Sequence, residues 1–140
     1  MERGGVSAVL LDTHALIWLT AQPDRLGRQA LRLAEKAQSK SCLHVSAISF
    51  WEIAMLVQRG AIRLRTSTDQ WRADVLKLGV QEVGVDGRIA IRATELMEFH
   101  PDPADRMIVA TALDLGATLL TADAVLLEWH SKLKRQDARR

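Results

Sequence analysis

Hydrophobic positions along the chain fall into two alternating patterns, short continuous runs and stretches with helical spacing. Val6 to Leu11 is a run, interrupted only by small Ser7 and Ala8, and it stops on Asp12. Such a run predicts a strand covered on both faces, as in a parallel sheet. Beyond Asp12 the spacing of Ala15, Leu16, Trp18 and Leu19 predicts a short helix from Thr13 to about Leu19, closed by Gln22-Pro23. Leu26, Ala30, Leu33 and Ala37 trace the apolar stripe of an amphipathic helix. Leu43 to Val45 predicts a second strand, followed by a helix over roughly Ser49 to Arg59 that Gly60 stops.

Trp71, Val75 and Leu78 mark a further helix, started at Ser67 or Thr68 and closed by Gly79. Val80, Val83 and Val85 predict a third strand, although Gly84 weakens the pattern. Ile89, Ala93, Leu96 and Met97 return to helical spacing. Asp102-Pro103 starts another helix, with Asp at the N-cap and Pro in the first turn, and Gly116 ends it after Leu115. Ala117 to Thr121 is the fourth strand, and Ala124 to Trp129 a last helical turn or two.

Strands alternating with helices predict an α/β domain whose parallel sheet carries helices on its faces. With 140 residues and 48% hydrophobic composition, one core is sufficient. Residues 1–130 are expected to form that single domain and residues 131–140 a basic tail. No apolar stretch approaches the ~20 residues of a membrane helix, so no membrane is expected as a partner. The apolar run near the N-terminus is short, ends at Asp12 and lacks a small-residue cleavage site, unlike a signal peptide. Cys42 is the only cysteine, which excludes an internal disulfide and suits a reducing, cytoplasmic setting.

The net charge is only +2, yet basic residues cluster at Arg59, Arg63 and Arg65, at Arg88 and Arg92, and from Lys132 to Arg140. Such clusters suit a polyanion, but any one of them is also what a solvated face looks like.

The acidic residues are more informative. Sites on open α/β sheets form outside the carboxyl ends of the strands. Asp12 ends the first strand and Asp123 follows the fourth, while Glu52 lies about one turn into the helix after the second. Asp105 lies in the first turn of a helix whose start falls at the same edge. Each has an ordinary structural explanation. Asp12 and Asp123 suit N-caps, Asp105 favours a helix dipole, and Ser49-Phe50-Trp51-Glu52 has capping-box spacing. Two features weigh against those explanations. Glu52 sits among Ile48, Met55 and Leu56 on an apolar stripe, where a charge is costly. In addition, carboxylates gathered from four separate segments repel one another unless a cation neutralises them.

Oxygen ligands without Cys or clustered His point to Mg²⁺ or Mn²⁺ rather than zinc. A metal held by few carboxylates recruits phosphate oxygens and activates water, which is the arrangement for phosphodiester hydrolysis. Asp12 and Asp105 are expected as inner ligands, with Asp123 and Glu52 holding a second metal or ordered waters. Thr13, Ser46 and Thr121 supply hydroxyls at the same edge, where they also serve as ordinary caps. Arg106 is a candidate contact to the scissile phosphate. His14 and His100 are nearby, and neither is assigned a catalytic task.

With these residues in view, the chain resembles the PIN-domain ribonucleases, specifically the compact toxins of the VapC type from toxin–antitoxin pairs. The resemblance runs from about Val9 to Leu127. It rests on LLDTHALIWL at the first strand, SAISFWEIAML around Glu52, HPDPADRMIVATAL around Asp105 and LLTAD, which ends on Asp123, at the fourth strand. It implies a three-layer α/β/α sandwich with a central parallel sheet, and Mg²⁺- or Mn²⁺-dependent cleavage of RNA at Asp12, Glu52, Asp105 and Asp123. It also implies a homodimer and a small antitoxin lying in a groove beside the acids, to which Trp18, Trp51 and Trp71 are candidate contributors. Toxins of this type often finish with a fifth apolar strand. Here HSKLKRQDARR follows Trp129 with Leu133 its only large aliphatic residue, so that strand is expected to be short or frayed.

Two other classes compete. A phosphoacceptor receiver domain also gathers acids at strand ends, but it requires adjacent acids after the first strand and a lysine after a late one. Here Thr13 and His14 follow Asp12, and no lysine follows Thr121 until Lys132. The alternative is a non-catalytic PIN-like module that binds RNA or protein, for which the presence of all four acids is unexpected.

Overall fold

The computed structural model describes residues 7–96, 102–129 and 131–140. Val6, Met97 and His100 lie outside the described residues. Five strands, β1 (Val9–Leu11), β2 (Leu43–Ser46), β3 (Gln81–Val83), β4 (Thr118–Thr121) and β5 (Lys134–Asp137), form one sheet in the order β3-β2-β1-β4-β5. Every pairing is parallel, with Leu11 beside Val45 on one side and Leu120 on the other. The described helices are α1 (Thr13–Ala21), α2 (Arg28–Ser39), α3 (Ala47–Gln58), α4 (Thr68–Lys77), α5 (Gly87–Thr94), α6 (Pro103–Leu115) and α7 (Ala124–Glu128).

The strand pleat divides β1 between two cores, because successive side chains point to opposite faces. Val9 and Leu11 pack with Leu16 of α1, Ala30, Ala34 and Ala37 of α2, Ile53 of α3 and Val75 of α4. Leu10 faces the other way, onto Ile108, Val109 and Ala112 of α6 and Leu126 of α7. Helix α5 joins this side through Ile89 and Ala93 against Ala110. The result is the expected three-layer sandwich, and the unbroken apolar run before Asp12 exists because β1 is buried on both faces.

The two edge strands depart from the sequence reading. Strand β3 covers only Gln81–Val83, with Val80 buried just ahead of it and Gly84 just beyond. Residues 131–140, expected as a basic tail, instead supply β5. It pairs with β4 from Thr118–Lys134 to Thr121–Asp137, and buried Leu133 and Ala138 flank it. An edge strand has one free flank and needs little apolar surface, and charge along it discourages pairing with other chains. KRQD therefore forms a strand without the hydrophobic run that marks interior strands. Arg135 adds a tie by donating to the carbonyls of Leu126 (2.9 Å) and Trp129 (2.5 Å) at the end of α7.

Candidate active site

The chain builds outward from β1 to β2 and β3, then returns to place β4 on the opposite side of β1. The junction of β1 and β4 is thus the topological switch point, where connections leave in opposite directions and open a crevice at the carboxyl ends. Asp12 and Asp123 stand on its two sides. One cleft of about 360 Å³ is lined by Asp12, Thr13, His14, Glu52, Asp102, Asp105, Ala122, Asp123 and Arg139. All four acids picked out in the sequence therefore meet in one place.

Asp12 is the most constrained. It is the N-cap of α1, and its Oδ1 accepts from the Ala15 amide (2.8 Å). Its Oδ2 accepts from Thr121 Oγ1 (2.5 Å), and Thr121 Oγ1 in turn accepts from the Asp123 amide (3.0 Å). A fully buried Thr121 thus couples the ends of β1 and β4. Asp12 is only 7% exposed, and burial raises its pKa above the usual carboxylate range, against the lowering effects of Thr121, the Ala15 amide and His14.

Glu52 lies in the second turn of α3, not in a capping box. Ser46 is the N-cap of that helix, accepting from the Ile48 amide (3.2 Å), so the helix starts earlier than the apolar spacing suggested. Glu52 has no capping task. Its Oε1 instead accepts a short hydrogen bond from Thr13 Oγ1, which also lies 2.9 Å from buried Ser49 Oγ. Burial raises the Glu52 pKa, the Thr13 bond opposes the rise, and the nearby charges of Asp102 and Asp12 add to it.

Asp105 occupies the first turn of α6, behind an N-cap at Asp102 whose Oδ1 accepts from the amides of Ala104 (2.8 Å) and Asp105 (3.2 Å). Asp123 is the N-cap of α7, with Oδ1 accepting from Val125 (2.8 Å). The capping explanations for Asp12 and Asp123 are therefore true, and they coexist with positions in the cleft. A capping carboxylate is well suited to this, because the helix fixes its orientation while leaving lone pairs to the cleft.

Of the supporting residues, Thr13 lines the cleft, Thr121 acts behind Asp12, and Ser46 is buried at the start of α3. Arg106, read from the sequence as a phosphate contact, is not among the lining residues. Its Nη1 donates to the carbonyls of Ala93 (2.9 Å) and Leu96 (3.2 Å), tying α6 to the end of α5. Among the described residues, the arginine that lines the cleft is Arg139, and the sequence contained no signal for it beyond membership of a basic cluster. Asp102 was legible only as a cap. Among the tryptophans, Trp18 is buried, Trp71 packs edge-on against Phe50 (5.9 Å), and Trp51 is 54% exposed beside the groove between α3 and α4.

Among the described residues, the cleft presents five carboxylates to one arginine and one histidine. Hard oxygen donors in that excess fit Mg²⁺ or Mn²⁺. Among the described residues, no three His, Cys, Asp or Glu side chains converge into a ready-made metal cage. Mg²⁺ keeps several waters and takes one or two carboxylates, so it does not need such a cage.

The chain belongs to the PIN-domain family, whose model matches residues 9–129. It is 37% identical over 119 residues to Ribonuclease VapC22 of Mycobacterium tuberculosis (strain ATCC 25618 / H37Rv), a match covering 84% of this chain and 88% of that protein. Two solved structures share its fold. One is VapBC2 from Rickettsia felis bound to a DNA fragment from its promoter, with TM-score 0.65 and 14% identity, covering 93% of this chain and 98% of that one. The other is a toxin–antitoxin complex from Klebsiella pneumoniae, with TM-score 0.60 and 21% identity, covering 88% and 93%.

Proposed function

We propose that this protein is a Mg²⁺- or Mn²⁺-dependent endoribonuclease of the VapC type, acting as the toxin of a toxin–antitoxin pair. The observation that carries the reading is the meeting of Asp12, Glu52, Asp105 and Asp123 in one cleft, with Asp12 buried there. Its likeness to Ribonuclease VapC22 supports RNA as the substrate.

In this reading Asp12, Asp105 and Asp123 are the residues that would hold the metal. When bound, the metal lowers the pKa of a water and offsets charge on the phosphate. The chain's own part is positioning. Thr121 locks Asp12 against the end of β4, and Thr13 holds Glu52 by its Oε1, leaving Oε2 to orient water. The acidic walls repel a phosphate, and a cation bound among them would weaken that repulsion at the reacting phosphate.

An antitoxin partner is supported by the toxin–antitoxin neighbours and by exposed Trp51 beside the α3–α4 groove of Phe50, Ala54, Val57 and Arg72. A homodimer is supported by exposed Ile91 on α5 and Leu113 on α6. Among the described residues, no helix is long and apolar enough to cross a membrane. A cytoplasmic site of action accords with a sequence that has a single cysteine, Cys42.

The test is cleavage of a mixed single-stranded RNA by protein freed of any copurifying partner, with Mn²⁺, with Mg²⁺ and with excess chelator. Metal-dependent cutting that disappears in Asp12→Asn is the expected result. A folded protein that neither cuts RNA nor binds Mn²⁺ would overturn the nuclease reading and favour a binding module.

A further inference from the structure

The last four residues of the sequence are not loosely attached. Ala138 is fully buried, its amide donates to the Thr121 carbonyl (2.8 Å), and its carbonyl accepts from the Gly27 amide (2.8 Å). The Arg140 carbonyl accepts from the Gln29 amide (2.7 Å), and the Arg139 amide donates to Asp137 Oδ1 (2.9 Å). Gly27 permits the close approach. A Cβ there would lie 2.0 Å from the Arg140 carbonyl carbon and 2.3 Å from its Cα, so any other residue displaces the strand end.

Arg139 is the residue this latch presents to the cleft. Its Nη1 donates to the Ala122 carbonyl (2.9 Å), one position before Asp123. A guanidinium has five N–H donors in a planar fork, so one such bond fixes the arm and leaves others to face the cleft. Asp12, Glu52, Asp102, Asp105 and Asp123 face it across the same space, which His14 also lines. A polyanion entering a carboxylate-lined cleft is repelled along its whole path and not only at the metal. A rim guanidinium with free donors matches a phosphate in charge and geometry.

We propose that Arg139, held at the rim of the acidic cleft by the 137–140 segment latched over Gly27, grips a phosphate of the RNA and positions the strand over the carboxylates. The assignment rests on the ribonuclease reading. Arg139 acts on the substrate, while Gly27 is a positioning residue that acts through it.

The experiment compares wild type, Arg139→Ala, Arg139→Lys and Gly27→Ala. Affinity for a fluorescein-labelled single-stranded RNA is followed by anisotropy in excess chelator across a salt series, and kcat and KM are measured with Mn²⁺. Mn²⁺ affinity without RNA is measured separately. Arg139→Ala is expected to weaken RNA binding on the order of ten- to a hundredfold, the range for losing charge-assisted bonds. It should flatten the salt dependence by about 0.7 in slope, the value for one phosphate contact on a single strand. KM should carry most of the change, and Lys should restore charge and slope but only part of the affinity. Mn²⁺ binding should hold or tighten, since a cation has left the neighbourhood of the acids. Gly27→Ala should change RNA binding in the same direction.

Unchanged RNA affinity and salt slope in an Arg139→Ala protein that still cleaves would overturn the proposal. So would a loss of Mn²⁺ affinity that tracks the loss of activity, because Arg139 would then support the carboxylates and not the RNA. A wild type that neither binds nor cleaves RNA would overturn the ribonuclease reading and this one with it. A wild type that does both, beside an unaffected Arg139→Ala, would overturn this one alone.

Discussion

Removing the Thr13 hydroxyl tests whether Glu52 is a held cleft carboxylate. Thr13→Val keeps the β-branched shape at the first position of α1, so the helix start is little disturbed. What is lost is the donor to Glu52 Oε1, along with the contact to Ser49 Oγ. Ser49 has an escape, since a serine inside a helix can bond a carbonyl one turn back. Glu52 is already half-buried and has its pKa raised by that burial. A bond to an ionised group contributes about 1.5–3 kcal/mol, against about 0.5–1.5 kcal/mol for a neutral one.

The sign with pH follows. A carboxyl whose folded pKa is raised contributes stability below its ordinary pKa, near 4.5, and loses that contribution as pH climbs through the folded value. Deleting the opposing Thr13 bond raises the folded pKa further, so the penalty of Thr13→Val grows with pH. Urea unfolding in chelator should therefore show about 1.5–3 kcal/mol of destabilisation at pH 8 and less at pH 4. In a Glu52→Gln background the cost at pH 8 should shrink to the neutral range. An equal cost at both pH values and in both backgrounds would refute the argument.

Other consequences can be checked with the same preparations. Glu52→Gln should lower the cleavage rate while leaving helix content unchanged, measured by circular dichroism, because Ser46 and not Glu52 caps α3. Asp105→Asn should abolish RNA hydrolysis and leave the urea midpoint in chelator unchanged or slightly higher, since it removes one of several like charges. Asp12 has a raised pKa, so wild type in chelator should lose stability as pH rises from about 3.8 through the folded value, and a plot of Tm against pH should be flatter for Asp12→Asn. Adding Mn²⁺ should raise the Tm of wild type much more than that of Asp12→Asn, because only binding to the folded state stabilises it.

The interior of the fold was readable because interior elements carry their own pattern. A strand covered on both faces must be apolar at its centre, so Val9–Leu11, and Leu119 and Leu120 within Thr118–Thr121, announced themselves. The start of α6 was local chemistry, with Asp102 and Pro103 at the cap and first turn, and Gly116 ended it in the left-handed region at φ 64°. The four acids were readable for a related reason: carboxylates at the ends of apolar runs have few local explanations, and the α/β topology says where those ends meet.

The edges were not readable. KRQD has no hydrophobic signal, and its strand character comes from β4 lying beside it and from Leu133 and Ala138 fitting the core. The Ser49–Glu52 spacing imitated a capping box, and only the true start of α3 at Ser46 released Glu52 for the cleft. Arg106 and Arg139 show the limit most clearly. Both are arginines near acidic residues in the sequence, yet packing turns Arg106 onto the carbonyls of Ala93 and Leu96, while the latch over Gly27 brings Arg139 to the cleft. Which residues can form strand, helix and ligand is a local property that the sequence determines. Which cation faces the carboxylates depends on contacts between segments more than a hundred residues apart, such as Gly27 with Arg140, and only the folded chain brings those together.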